Sequence, residues 1–256
     1  MNRYPLRVGV AAASLIALSV ASGCDVLDEL TDSDSVSHSL TSAVEALEVA
    51  PEQRDGYDRD LFKHWIDEDG DGCNTRYEVL IEEAVTAPTV DDDCNLTGGE
   101  WTSYYDGETV DDPKRLHIDH VVPLAEAWDS GADSWSDDRR RAFANDMGDE
   151  RSLIAVTAGS NTSKSDRDPA EWLPEIEAEH CRYVTEWVAV KTRWSLAVDD
   201  AERDVLVDVA DGCEATEFAV EVVDDSTAAH EAATVQAAVA PAMHRRRVNG
   251  GGPLRR

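Results

Sequence analysis

Apolar residues recur along the chain at two spacings, which separate helical segments from strands. Residues 76–85 and 199–210 have helical patterns, and residues 168–194 predict one or two helices interrupted by Pro174. Residues 57–66 also carry apolar side chains at helical spacing. These segments predict a fold rich in helices.

Strand patterns fall between the helices. Residues 115–122, "RLHIDHVV", and residues 151–156, "RSLIAV", read as strands, and Pro123 ends the first of them. The residues from Pro123 predict a short helix closed by Gly131, and Ser136 is a candidate cap for the next helix. The mixture of short strands and helices predicts an α+β fold.

The two ends of the chain differ from its middle. Residues 1–23 have a basic start, an apolar run and small residues at the end, which predicts a signal peptide. The sequence "ASGC" favours lipidation of Cys24 over ordinary cleavage nearby. We expect an acidic tether over residues 24–53, a folded domain over residues 54–223 and a disordered tail over residues 224–256.

Four cysteines remain after Cys24, and an even number in an exported protein predicts disulfides. Three pairings are possible. Nearest-neighbour pairing closes two short loops, and we therefore predict Cys73–Cys94 and Cys181–Cys213.

The charge of the chain restricts how it can meet a polyanion. The net charge is −31, and residues 24–243 carry all 54 acidic residues but only 16 of the 23 basic ones. Such a strongly acidic surface is solvated and repels nucleic acid at long range. Any chemistry on a phosphate must therefore depend on local positive charge.

Two motifs combine the residue types that hydrolyse phosphodiesters, "HIDHVVP" at residues 117–123 and "SNTSKSD" at residues 160–166. Asp119 and Asn161 offer oxygen ligands to a hard metal ion, and His120 is a candidate general base. Lys164 lies one helical turn beyond Asn161 and is a candidate phosphate contact. The alternative for His120 alone is a buried core histidine.

These motifs resemble those of the HNH, or His-Me finger, nucleases. "IDHVVPL" is similar to the family's D-H-[IV]-[VI]-P signature, and "SNTSKSD" to its N-x-x-K-x-D segment. From Tyr57 to Cys213 the chain resembles secreted bacterial HNH-family proteins related to the C-terminal nuclease domain of GmrSD-type restriction enzymes. The resemblance implies a ββα-metal core embedded in additional helices. It also implies Asp119 and Asn161 as metal ligands and His120 as the base.

Some expected parts of that pattern have no secure counterpart here. Asn145 is a candidate for the asparagine that orients the base, and a backbone carbonyl is the alternative. His117 is a further candidate metal ligand. Strand alternation puts His117 and Asp119 on one face and His120 on the other. For Asp119 and His120 to reach the same site, the strand must bulge or end at His120.

A second motif, "DEDGDGCNTRYE" at residues 67–78, resembles an EF-hand calcium loop. Asp67, Asp69, Asp71 and Glu78 stand at loop positions that bind calcium through oxygen. The alternative is an Asp/Gly turn that caps the next helix. The family resemblance also brings this segment near the nuclease core, which makes Arg76 a candidate for supporting the site.

The sequence therefore predicts an exported, lipid-anchored endonuclease that uses one divalent metal, most simply Mg²⁺, on DNA or RNA. Its expected location is the cell surface, and no protein partner is indicated. One alternative is a calcium-binding lipoprotein module with an inactive ββα scaffold. Another is a zinc hydrolase that uses His117, Asp119 and His120, although these lie too close together on one strand for good geometry.

Overall fold

The structure is a computed structural model that describes residues 36–213 and 216–224. The predictions for the signal peptide, for Cys24 and for residues 225–256 lie outside the described residues. The described helices are α1 Leu40–Ala46, α2 Thr75–Glu82, α3 Leu124–Asp129, α4 Asp137–Ala144, α5 Ala158–Lys164, α6 His180–Trp194 and α7 Asp200–Gly212. The described strands are β1 Val36–Ser39, β2 Thr89–Val90, β3 Leu96–Thr97, β4 Trp101–Thr102, β5 Thr109–Val110, β6 Leu116–His120, β7 Leu153–Thr157 and β8 Glu217–Val220.

The strands of the described residues form antiparallel pairs, β1 with β8, β2 with β3, β4 with β5 and β6 with β7. The α+β class predicted from the sequence is therefore confirmed. The pair β6–β7 and the helix α5 that directly follows β7 carry both sequence motifs. In this pair Leu116 lies opposite Thr157 and His120 lies opposite Leu153.

The folded part of the chain begins earlier than residue 54. Strand β1 pairs with β8, and Leu40, Ala43 and Val44 of α1 are buried in the main core. The predicted tether over residues 24–53 is therefore corrected for its second half. The amphipathic pattern of this segment is too short to be distinguished from a linker, and only its packing on α6 and α7 makes it part of the domain.

Most predicted elements are present, with two local exceptions. The helix predicted within residues 168–194 begins only at His180. Residues 57–66 form no α-helix, only a 3-10 turn at Arg59–Leu61. Asp58 caps this turn by accepting a hydrogen bond from the backbone N–H of Asp60. Phe62 is fully buried whereas Leu61 is exposed, so the segment packs through a residue outside the helical spacing.

The core has two parts on the two faces of the β6–β7 pair. One cluster gathers Leu116, Ile118, Leu153 and Ala155 with the apolar face of α2. The larger cluster takes Ile154 and Val156 together with α3, α4, α6 and α7. The strand pair therefore lies between two packed layers, which holds its end at His120 in a fixed position.

Both predicted disulfides are confirmed. Cys73 and Cys94 have Cα atoms 5.2 Å apart, and Cys181 and Cys213 have Cα atoms 5.7 Å apart. The first joins the acidic loop to the segment before β3, and the second joins the start of α6 to the end of α7.

Removing either disulfide is expected to lower the free energy of unfolding by about 3–4 kcal/mol, from the entropy of closing loops of 21 and 32 residues. The variants are Cys73→Ala with Cys94→Ala, and Cys181→Ala with Cys213→Ala. Urea unfolding without reductant measures the loss. Unchanged midpoints in both variants would contradict the expectation.

Within the described residues, no helix combines the length and the apolar character needed to cross a bilayer.

Candidate active site

The unit β6–β7–α5 brings the two sequence motifs together. Strand β6 ends at His120, and the chain turns into α5 directly after β7. The side chain of Thr157 caps α5 by accepting from the backbone N–H of Ser160. Asp106 accepts hydrogen bonds from the hydroxyls of both Thr157 and Ser160. These contacts fix the first turn of the helix that carries Asn161.

A cleft of about 270 Å³ opens beside this unit. Its lining includes Asp119, His120 and Asn161, three residues that the motifs singled out. The ordered β6 strand ends at His120, so the side chains of Asp119 and His120 border the same cleft although they leave opposite faces of the strand. The remaining lining residues are Tyr57, Arg59, Ile118, Pro123, Leu124, Ala125, Ser165 and Asp166.

Asp119 is buried and held by two donors. The hydroxyl of Tyr105 donates to Oδ2 at 2.6 Å, and the ammonium of Lys164 lies 3.0 Å from Oδ1 and 2.9 Å from Oδ2. Burial raises the pKa of Asp119, and the positive charge of Lys164 opposes that shift. The carboxylate therefore has a fixed orientation at the edge of the cleft.

His120 is oriented by a backbone carbonyl. Its Nε2 lies 3.0 Å from the carbonyl oxygen of Ala144, the last residue of α4. A carbonyl can only accept a hydrogen bond, so Nε2 carries the proton and Nδ1 keeps its lone pair. Burial lowers the pKa of His120 to about 3, so that the imidazole is neutral at neutral pH.

Aromatic rings enclose the imidazole of His120. The ring of Phe143 is stacked with it at a centroid distance of 6.5 Å, and the Trp65 ring lies 5.3 Å away. His120 is thus both a packed residue and a residue of the cleft wall. The two alternatives that the sequence left open for it are compatible in this arrangement.

Asn161 of α5 and His117 of β6 contact each other through their side chains. The side-chain nitrogen of Asn161 lies 3.3 Å from Nδ1 of His117. In this assignment the amide donates to His117 and its oxygen is directed elsewhere. His117 is exposed and does not belong to the cleft lining.

Lys164 occupies a different position from the one expected of a phosphate contact. It is 0% exposed, and its ammonium also donates to the carbonyl oxygen of His120 at 3.0 Å. Burial lowers the pKa of Lys164, whereas the charge of Asp119 raises it. In this arrangement Lys164 links Asp119 to the end of β6 and has no surface to offer to a ligand.

Asn145 and Arg76 lie outside the cleft. Asn145 accepts from the backbone N–H of Ile66 and donates to the carbonyls of Lys63 and Arg141, so it fixes the segment before the acidic loop. Arg76 donates to the carbonyls of Pro113 and Leu116. The expectation that Asn145 orients His120 is corrected, because the neighbouring carbonyl of Ala144 does so.

Two residues that the sequence reading did not single out belong to the site. Tyr105 is fully buried and bonds Asp119, and Arg59 is exposed and lines the cleft. Tyr105 lies in the "TSYYDG" stretch, where nothing in the local pattern marks a partner 14 residues later. Arg59 lies in the segment for which helical spacing predicted the wrong structure.

The acidic loop forms a separate cluster. Carboxylate oxygens of Asp67, Asp69 and Asp71 lie within 4.8 Å of one another. Asp67 accepts from the backbone N–H groups of Gly70 and Gly72, two glycines whose positive φ angles of 76° and 100° close the loop. Burial raises the pKa of Glu78, and the negative charges of Asp69, Asp71 and Asp67 raise it further.

Helix α2, which follows this loop, is capped by Asn74, whose side chain accepts from the backbone N–H of Tyr77. The aspartates therefore do not supply the cap themselves.

The zinc alternative finds no support in the geometry. Among the described residues, the groups of three or more His, Cys, Asp or Glu side chains that could hold a metal consist of carboxylates alone. His117, Asp119 and His120 do not form such a group: His117 lies outside the cleft that Asp119 and His120 line, and Nε2 of His120 donates to the carbonyl of Ala144.

Comparisons with known proteins agree with the motif reading. A family model described as the C-terminal domain of GmrSD restriction endonucleases matches residues 76–209, just over half of the chain. The chain is also similar to a protein of Arthroderma benhamiae described as an uncharacterized secreted protein. The two are 42% identical over 173 residues, which are 67% of this chain and 83% of that protein. No solved structure matches the chain.

Proposed function

Because the chain belongs to the family of the C-terminal domain of GmrSD restriction endonucleases, we propose that it is an exported endonuclease of the HNH type. It hydrolyses phosphodiester bonds of DNA or RNA with one divalent metal, most simply Mg²⁺. The observation that carries the proposal is the cleft that Asp119, His120 and Asn161 line together.

His120 is the general base in this proposal. Its Nε2–H bonds the Ala144 carbonyl, which leaves the lone pair of Nδ1 to accept a proton from water. The stacked rings and the carbonyl contact hold the imidazole in one orientation before substrate arrives. A base that is already positioned avoids the entropic cost of ordering it during the reaction.

The side chains of Asp119 and Asn161 fit a hard divalent cation. Carboxylate and carboxamide oxygens are ligands that Mg²⁺ accepts, and it keeps several waters, for which the cleft has room. Such an ion stabilises negative charge on a phosphoryl oxygen. Tyr105 and Lys164 orient Asp119, and His117 orients Asn161, which are the supporting contacts that ligands of a metal need.

The test is cleavage by the purified full-length chain of supercoiled plasmid and of a labelled RNA, with a panel of divalent metals and with chelator. Cleavage that needs a divalent metal supports the proposal. Calcium binding without any cleavage would favour the alternative of an inactive scaffold. Activity with zinc alone would favour the zinc hydrolase instead.

Export and anchoring form part of the proposal. The relative described as secreted and the signal-like residues 1–23 support an extracellular protein. A lipid on Cys24 would hold it at the membrane surface. Metabolic labelling with a fatty acid tests this, with Cys24→Ser as the control.

We also propose that the loop of Asp67, Asp69, Asp71 and Glu78 binds a structural calcium ion. The clustered carboxylates support this, and the negative charge of the aspartates raises the pKa of Glu78, whose charge a bound cation would stabilise.

Glu78→Gln is expected to lower the melting temperature only in the presence of calcium. Binding to the folded state alone stabilises by about 2.7 kcal/mol at a calcium concentration 100 times the dissociation constant. Calorimetry with calcium and with chelator measures the difference, and Glu82→Gln on the exposed face of α2 is the matched control. Equal melting temperatures of the unmodified protein in both buffers would favour a turn that holds no ion.

A further inference from the structure

The cleft contains one basic side chain that faces solvent. Among the described residues that line it, Arg59 is the only arginine or lysine, and it is exposed. Lys164 lies behind the cleft wall with no exposed surface. A phosphate that entered the cleft would therefore meet Arg59 rather than Lys164.

Arg59 differs from the nearby Arg54 in whether an acidic side chain neutralises its charge. Arg54 forms ion pairs with Asp129 at 2.5 Å and with Asp166 at 2.8 Å. Within the described residues, Arg59 takes part in no ion pair. In a chain with a net charge of −31, an unpaired arginine at a cleft is available to an anion.

The segment that carries Arg59 is fixed to the same aromatic cluster as the candidate base. The buried ring of Phe62 packs edge-on against Phe143 at 6.3 Å and against Trp128 at 6.4 Å. Phe143 in turn is stacked with His120. This packing sets the distance between the backbone of Arg59 and the imidazole of His120.

We infer that Arg59 binds the two non-bridging oxygens of the nucleic-acid phosphate that enters the cleft between His120 and Asn161. The planar guanidinium donates two parallel hydrogen bonds to a phosphate, which a point charge does not. Arg59 thereby supplies the local positive charge that the acidic surface lacks. The inference rests on the proposed function, but Arg59 lies outside residues 76–209, so the family match itself says nothing of it.

The first experiment is steady-state cleavage of a duplex oligonucleotide by the full-length chain with Mg²⁺. Arg59→Ala is expected to lower kcat/KM by about 10- to 100-fold, the effect of losing hydrogen bonds to a charged group. Arg59→Lys should recover part of the lost kcat/KM, because lysine keeps the positive charge but lacks the planar guanidinium that donates two parallel hydrogen bonds. Lys63→Ala removes the same charge from an exposed side chain outside the cleft and should change kcat/KM less than about twofold.

The second experiment measures binding without cleavage. In the His120→Ala background, the affinity for a fluorescein-labelled 20-nucleotide single strand is measured against salt concentration. Removal of one phosphate contact by Arg59→Ala should reduce the slope of log affinity against log salt by about 0.7. Lys63→Ala should leave the slope unchanged.

The experiments distinguish a failure of the role proposed for Arg59 from a failure of the nuclease proposal. If the unmodified chain cleaves and Arg59→Ala behaves as Lys63→Ala does in both experiments, the role of Arg59 is overturned and the nuclease proposal stands. If the unmodified chain cleaves nothing, the nuclease proposal fails. The salt slope then still decides whether Arg59 contacts phosphate.

Discussion

His120→Ala is expected to reduce the cleavage rate by about 10²–10⁴-fold, the usual cost of losing a general base. The structural reason is that Nε2 donates to the Ala144 carbonyl, which leaves Nδ1 as the nitrogen that can accept a proton. The variant removes the base and leaves Asp119 and Asn161 intact. Initial rates of plasmid cleavage at saturating Mg²⁺ measure the loss.

Two comparisons make this result specific. His38→Ala changes a histidine outside the cleft lining and should leave the rate unchanged. Asp119→Asn and Asn161→Ala should instead raise the Mg²⁺ concentration needed for half-maximal rate. A fully active His120→Ala protein, purified free of contaminating nuclease, would refute the assignment of the base.

Lys164→Met is expected to lower the free energy of unfolding by about 3–5 kcal/mol, because it leaves the buried carboxylate of Asp119 without its charged partner. The side chain is 0% exposed, so the loss arises from the interior and not from the surface. Urea unfolding followed by tryptophan fluorescence measures it. Lys63→Met, at an exposed position, should stay within about 0.5 kcal/mol of the unmodified protein.

A double variant separates the ion pair from other effects of the substitution. Combining Lys164→Met with Asp119→Asn removes both charges, so most of the lost stability should return. If Lys164→Met unfolds at the same urea concentration as the unmodified protein, the buried ion pair of Lys164 and Asp119 is contradicted. The sequence expectation of a lysine that faces phosphate would then regain support.

The sequence was sufficient for features that depend on neighbouring residues. Periodic apolar spacing predicted α2, α7 and the strands β6 and β7, and Ser136 was correctly identified as the cap of α4. The pairing of the cysteines also followed from the chain, since short loops close at the lowest entropic cost. The same local reasoning failed for residues 57–66, where the burial of Phe62 outweighs the helical spacing.

In the candidate site, too, some features could be predicted from the sequence and others only from the tertiary structure. The motifs identified Asp119, His120 and Asn161 by residue type and spacing, and these three line one cleft. The partner of His120 could not be read from the sequence, because a backbone carbonyl has the same chemistry at every residue and only packing brought Ala144 to Nε2. Asn145, one residue later, had the expected side chain but points away.

The direction of each charged side chain was likewise decided by the tertiary structure. Lys164 and Arg59 are both cations in the sequence, yet one is enclosed by Asp119 and the carbonyl of His120 while the other faces the cleft. Residue type and spacing determine which groups the chain carries and which elements hold them. Whether a group meets solvent, a metal or a buried partner depends on contacts between segments that are distant in sequence, and these form only when the two core layers close around β6 and β7.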